Sequence, residues 1–201
     1  MPILFEDTAF SRLVSLACHD LRTPLATVSG FAHTLARVDG LAPPADRYVE
    51  MMIAASGELA ELIDALGIVA RIEGGRYEPA LVEADSLELA QNAAARLGGG
   101  RAEVAGDGGA IAVDREAAEN AVYGLARCAL RHGGLERVSL AAEADSVRIS
   151  PITEAAAPIV MAEEIRDLGS AVGLRIVAAL GGSAELAGAT LSVGFHATRP
   201  G

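Results

Sequence analysis

The sequence predicts an α+β protein in two parts. An antiparallel helical hairpin over residues 8–75 builds a dimeric four-helix bundle, and an α/β sandwich follows over residues 82–198. Three observations point there. Two long apolar stripes of helical period fill the first 75 residues. Two helices alone cannot bury both stripes, whereas two hairpins together can, so a homodimer is expected; the alternative is a hairpin that folds back on the C-terminal half. Beyond residue 75 the pattern changes to shorter alternating segments broken by glycines.

In the first stripe Phe10, Val14, Ala17, Leu21, Leu25, Val28 and Leu35 recur in steps of three, four or seven. In the second, Tyr48, Met52, Ala55, Leu59, Leu62, Leu66 and Val69 follow alternating steps of four and three, the heptad period of left-handed helix packing. Asp39-Gly40-Leu41-Ala42-Pro43-Pro44 reads as the turn between them, and Gly74-Gly75 as the end of the second helix.

The second part opens with a helix over Ser86–Leu97, stopped by Gly98-Gly99-Gly100. Short strands are expected at Ala102–Ala105 and Ala110–Val113, with Gly106–Gly109 as a hairpin turn between them. Asp114 stands where an N-cap belongs, ahead of a helix to about His132. Arg137–Ala144 and Ser146–Ile152 alternate as a hairpin closed at Asp145. Helical stretches follow near Val160–Leu168 and Val172–Leu180, and a last hairpin, Glu185–Ala187 with Thr190–Ala197, turns at Gly188. The sheet should be mainly antiparallel, with helices on one face.

Composition excludes several function classes. Hydrophobic residues make up 51% of the 201 residues but aromatics only 3%, so the core is built from Ala, Leu, Val and Ile. The formal net charge of -11 argues against a nucleic-acid or anionic-membrane surface. All 16 basic residues are Arg, which removes any Walker lysine, Schiff-base lysine or Ser-Lys dyad. Cys18 and Cys128 are far apart, with no partner at metal-ligand spacing, so neither a zinc site nor a disulfide is indicated. No apolar run reaches the roughly 18 residues of a membrane helix, and the first ten residues hold Glu6 and Asp7 but no basic cluster, so a cytoplasmic protein is expected.

His19 is the most informative residue. It lies two positions from both Ala17 and Leu21, about 200° round a helix from each, and so points away from the stripe. Thr23 follows one turn on, with Asp20 and Arg22 beside them. Pro24 cannot donate a helical hydrogen bond and its ring crowds the Asp20 carbonyl, so a kink is expected beside His19. An exposed imidazole whose ring proton a neighbouring carboxylate can accept is a suitable nucleophile. A solvated surface histidine is the plainer alternative. Cys18 reads as a small buried filler, His33 as a solvated residue, and His132 and His196 as a helix C-terminal and a strand residue.

Ser15-Leu16-Ala17-Cys18-His19-Asp20-Leu21-Arg22-Thr23-Pro24-Leu25 resembles the H-box of the histidine kinases of two-component signalling. Gly30-Phe31 and the stretch Leu66–Gly75 are also similar to that family, so the resemblance spans roughly residues 8–80. It implies that His19 is the phosphoacceptor, Asp20 its acid/base partner and Thr23 a position used in response-regulator dephosphorylation. Arg22 and Pro24 become partner-binding positions, and a homodimeric bundle is implied as well.

The second half resembles the family's ATP-binding domain in outline but not in its chemical residues. Tyr123–His132 aligns with the N-box helix, yet the Asn that would coordinate Mg²⁺ falls at Cys128 and a second common Asn at Gly124. A thiol is a poor ligand for this hard cation. The Asp-x-Gly-x-Gly box falls on Thr153-Glu154-Ala155-Ala156-Ala157, where Ala155 and Ala157 put a Cβ in place of glycine. Gly169-Ser170-Ala171-Val172-Gly173-Leu174 resembles the second glycine box with its middle glycine lost, and little room for a phosphate lid precedes it. The resemblance therefore implies a degenerate ATPase fold with no nucleotide-binding residue and no resident metal, any Mg²⁺ being supplied by the partner.

The expected function is histidine phosphotransfer without ATP: His19 shuttles a phosphoryl group between Asp residues of response-regulator receiver domains, with a hybrid histidine kinase as a further partner. The H-box, with Arg22-Thr23-Pro24-Leu25 intact, is nevertheless close to that of the kinases. A divergent ATP-dependent kinase using Glu154 and Asp114, or a non-catalytic docking scaffold or phosphatase, are the alternatives.

Overall fold

The computed structural model describes residues 4–38, 41 and 43–196. The chain divides into two units, Met1–Arg76 and Tyr77–Gly201. No helix among the described residues is long and apolar enough to cross a membrane.

The first unit is a hairpin of α1 (Leu4–Leu35) and α2 (Pro43–Glu73). α1 remains a single helix through Pro24. Asp39, Gly40 and Ala42 of the expected turn, and the side chain of Phe10, lie outside the described residues.

The face that joins the two helices is not either of the expected stripes. Ser11, Cys18 and Ala32 of α1 are buried, as are Val49, Ser56, Ile63 and Ala70 of α2. The α2 set recurs every seven residues and sits one position beyond the expected stripe. Across both helices five of these seven buried residues are Ser, Cys or Ala, which lets the helix backbones approach closely. Several large apolar residues of the expected stripes stay open on a single chain, Leu21 at 52%, Tyr48 at 63% and Leu59 at 52%, while Leu25, Leu62 and Leu66 are half-buried.

The second unit is a sandwich. Its five-stranded sheet has the order β2-β4-β5-β7-β6, with β2 (Ala102–Gly106), β4 (Val138–Ala142), β5 (Ser146–Ser150), β6 (Ser183–Ala187) and β7 (Thr190–Gly194). Only the β2–β4 pair is parallel. Alternation sets the face: Val138, Leu140, Val147, Ile149, Leu191 and Val193 point inward, and Leu140 pairs with Ile149, which pairs in turn with Leu191. Helices α3 (Ser86–Leu97), α4 (Arg115–Gly133) and α6 (Leu168–Ala179) supply the other half of the core through Leu89, Leu125, Leu130 and Ile176.

Four local expectations are corrected. Gly106–Gly109 is not a hairpin turn, because β2 pairs with β4 while β3 (Ala110–Val113) pairs with an unforeseen strand, β1 (Val82–Asp85), in a separate two-stranded sheet. Gly106 is required because a Cβ there would strike the Ala142 carbonyl, and Ser86 holds the segment by exchanging hydrogen bonds with Gly109. The helix expected near Val160–Leu168 is a single turn, α5 (Ala157–Val160), after which the chain is irregular. Asp167 then caps α6, its Oδ1 accepting from the Ser170 N–H at 3.0 Å. Gly169 therefore lies inside α6 rather than ahead of it, with Gly173 one turn further along the same helix. β7 ends at Gly194, so His196 lies beyond the strand, and Ala197 is outside the described residues.

Candidate functional site

In the hairpin, two ties bracket His19, one from α1 to α2 and one from α1 to Arg76 just beyond the end of α2. The Arg76 guanidinium donates to Ser15 Oγ at 3.3 Å, one turn before it. Arg22, one turn after it, donates from Nε and Nη2 to Asp64 Oδ1 at 3.1 and 2.7 Å, and the guanidinium passes over Gly67. Both ion-pair partners are half-exposed or more, so the pair orients more than it stabilises. Asp64 was not foreseen from the sequence, since nothing local marks a partner on the opposite helix.

His19 itself is open, with 78% of its side chain exposed, and its Nδ1 lies 3.0 Å from Asp20 Oδ1. An ionised carboxylate can only accept, so the ring proton belongs on Nδ1 and the Nε2 lone pair is the free one. Thr23 is exposed one turn further along, its carbonyl accepting from Thr27 Oγ1 at 3.1 Å. Pro24 has no N–H to give the Asp20 carbonyl, and its side chain is exposed. Cys18 is buried. The arrangement supplies an accessible nitrogen nucleophile, a carboxylate that fixes its tautomer, and a hydroxyl within a turn.

In the sandwich, the positions aligned with nucleotide chemistry have other partners. Gly124 of α4 and Gly169 of α6 touch backbone to backbone: a Cβ on Gly124 would fall 2.7 Å from the Gly169 carbonyl oxygen. A Cβ on Gly173 would lie 3.0 Å from the Ala121 carbonyl oxygen. These glycines serve the α4–α6 contact. Thr153 Oγ1 accepts from the Ala156 N–H at 3.3 Å, Ala155 is exposed and Ala157 opens α5. Asp114 is fully engaged as an N-cap: Oδ1 accepts from the Ala117 N–H, and Oδ2 from the Tyr77 hydroxyl and the Ala80 N–H. Glu154 is exposed.

Cys128 has neighbours that the sequence reading did not assign. His132 stands one helical turn on along α4, and Asp167 comes from the cap of α6; one ligand atom from each lies within 4.8 Å of the others. His132 Nε2 is 3.3 Å from Asp167 Oδ2. Burial pushes the Cys128 thiol up to about 12, despite a hydrogen bond with Ser170 that acts the other way. The i, i+4 spacing of Cys128 and His132 was visible in the sequence; Asp167, 35 residues from His132, was not. A Mg²⁺–nucleotide does not fit this position, which offers a neutral buried thiol where an oxygen ligand is wanted.

Residues 11–75 match the model of the His Kinase A (phospho-acceptor) domain, a span that includes His19. No curated protein matches the chain. Among solved structures, full-length ShkA in complex with AMPPNP aligns with a TM-score of 0.64 at 22% identity, over 93% of this chain and 47% of that one. The chain thus spans about half of that protein's length. The Acinetobacter baumannii histidine kinase AdeS aligns with a TM-score of 0.54 at 16% identity, over 88% of this chain and 98% of that one. At these identities the likeness shows the fold. Residues 11–75 are thus matched as a phospho-acceptor domain, and the chain as a whole shares the fold of these histidine kinase structures, a helical hairpin followed by an ATPase-domain-like sandwich.

Proposed function

We propose that this protein is a dimeric histidine phosphotransfer protein that relays a phosphoryl group between receiver domains and draws none from ATP. The observation that carries the proposal is the exposed His19 ring, hydrogen-bonded through Nδ1 to Asp20 within a phospho-acceptor domain. The ATP-independent part is supported by Cys128 in the Mg²⁺ position and by Gly124, Gly169 and Gly173 in direct helix contact. Against the divergent-kinase alternative, Asp114 is committed to capping and to the Tyr77–Ala80 segment.

In the proposed step, the His19 Nε2 lone pair attacks the phosphorus of a receiver's aspartyl phosphate. The N–P bond forms as the O–P bond breaks, and the receiver's carboxylate leaves with the electron pair. The ring becomes cationic while Nδ1–H still donates to Asp20, whose negative charge offsets it. A second receiver reverses the step. Such transfers depend on positioning and electrostatics, which suits an exposed helix face with few parts. The receiver brings its own Mg²⁺ and acidic pocket.

Two labelling arms test this. With γ-labelled ATP and Mg²⁺, no label is expected on the protein. With receiver domains carrying a labelled aspartyl phosphate, acid-labile, base-stable label is expected to appear on it. Label from ATP would overturn the ATP-independent relay; no label from any receiver in a broad panel would overturn the relay altogether.

The dimer is supported by the large apolar side chains of α1 and α2 left open on one chain, among them Leu21, Phe31, Tyr48 and Leu59. A two-fold interface repeats each substitution. Burying one leucine is worth about 1.5–3 kcal/mol, so Leu59→Glu removes roughly 3–6 kcal/mol per dimer and weakens dimerisation about 100-fold or more. Sedimentation equilibrium should show a wild-type dimer and a largely monomeric variant at micromolar concentration. A variant that stays dimeric would place the interface elsewhere.

A further inference from the structure

We propose that Cys128, His132 and Asp167 form a binding site for one divalent d-block cation of the zinc type, between α4 and the cap of α6. The three side chains offer sulfur, nitrogen and oxygen, a set that suits zinc and its neighbours and disfavours Mg²⁺ or Ca²⁺, which take oxygen.

The geometry is close to what such an ion needs. Metal–ligand bonds of about 2.0–2.3 Å in a tetrahedron put ligand atoms roughly 3.3–3.7 Å apart. His132 Nε2 and Asp167 Oδ2 are already 3.3 Å apart, and all three ligand atoms lie within 4.8 Å of one another.

Supporting hydrogen bonds hold the carboxylate ligand. Asp167 Oδ1 accepts from the Ser170 N–H, which leaves Oδ2 directed at His132. The Ser170 hydroxyl is in turn anchored on the carbonyls of Ile159 and Asp167. Anchored ligands of this kind are what a metal site requires around it. Asp167 is 2% exposed and His132 21%, so solvent reaches the cluster from the imidazole side, where a fourth ligand, water, can complete the tetrahedron.

Binding balances in charge and protons. The Cys128 thiol proton leaves to solvent, and the ring proton of His132 moves from Nε2 to Nδ1. Thiolate and carboxylate together then neutralise the dication. The site lies on the sandwich unit and does not depend on whether His19 carries phosphate.

The test uses the untagged full chain, stripped of metal by a chelator and titrated with Co²⁺. Wild type is expected to bind one equivalent, with visible bands of a tetrahedral site and a near-ultraviolet thiolate-to-cobalt charge-transfer band, all displaced by Zn²⁺. Cys128→Ala should lose the charge-transfer band and bind more weakly by more than the ~10–100-fold that loss of a supporting hydrogen bond costs. Cys18→Ala should keep the band. His132→Ala, altered in the last turn of α4 where the side chain is partly exposed, provides the second variant if Cys128→Ala does not fold; it should lose the tetrahedral bands. No charge-transfer band in wild type, or one that survives Cys128→Ala or follows Cys18, would overturn the site.

Discussion

Replacing His19 with alanine is expected to abolish phosphoryl acceptance from receiver domains, with label falling at least about a thousandfold to background. The magnitude follows from the chemistry: the imidazole is the group that forms the N–P bond, and an accelerated step that loses its nucleophile loses most of its catalysis. Glutamine at the same position keeps a polar side chain of similar reach but no basic nitrogen, so His19→Gln should be as inactive. Asp20→Asn separates the roles. It retains an acceptor for Nδ1–H but lacks the charge that offsets the developing imidazolium, so transfer should fall by about 10²–10⁴-fold while the site of labelling stays at His19. His19 is exposed and makes its polar contact with Asp20 next to it, so none of these variants should change the unfolding midpoint appreciably. Label persisting on His19→Ala would move the phosphoacceptor to another residue, and a cooperative loss of helix content would reduce the result to a folding defect.

Where the sequence was informative, the reason was local. Asp114 as an N-cap, α3 over Ser86–Leu97, and the hairpins at Asp145 and Gly188 each depend on residues within a turn of one another, and each is present. His19 with Asp20 was legible on the same ground, since adjacent residues and a helical period placed both on an open face. The failures concern pairings across long stretches of chain. Two short apolar runs around Gly106–Gly109 look like a hairpin, yet β2 finds β4 in parallel and β3 finds β1, and nothing within the segment encodes either partner. The seam between α1 and α2 was missed because, Val49 and Ile63 apart, its members Ser11, Cys18, Ala32, Ser56 and Ala70 are too small or too polar to register as a hydrophobic stripe. Small residues permit a close approach, whereas the bulky residues beside them mark a face with more to bury. The same blindness applied to Gly169 and Gly173. A glycine kept for close helix packing and one kept for a phosphate look alike until the opposing Gly124 is in place.

That contact gives the second large prediction, because its glycines have backbone on both sides. At Gly124 an added Cβ would lie 2.7 Å from the Gly169 carbonyl oxygen and 3.0 Å from its carbon. Neither atom is the end of a flexible side chain, so α4 and α6 must separate. Alanine gains about 1 kcal/mol over glycine in helix propensity, and overpacking typically costs about 1–3 kcal/mol. The clash should win, leaving Gly124→Ala less stable by up to about 2 kcal/mol. Gly124→Val adds two further carbons in the same crevice and a stiff χ1, and should cost about 3 kcal/mol or more. Gly57, inside α2, reverses the sign: nothing lies within 4 Å of its added Cβ, so Gly57→Ala should gain up to about 1 kcal/mol. Urea unfolding followed by circular dichroism reads all three, as a fall in midpoint for the two α4 variants and a rise for the α2 variant. If Gly124→Ala were as stable as wild type, the two helices would have room between them, and the crevice would again be a candidate for a ligand. A destabilised Gly124→Ala beside a stabilised Gly57→Ala would instead assign these glycines to packing, and with them the strongest remaining likeness of the sandwich to a nucleotide site.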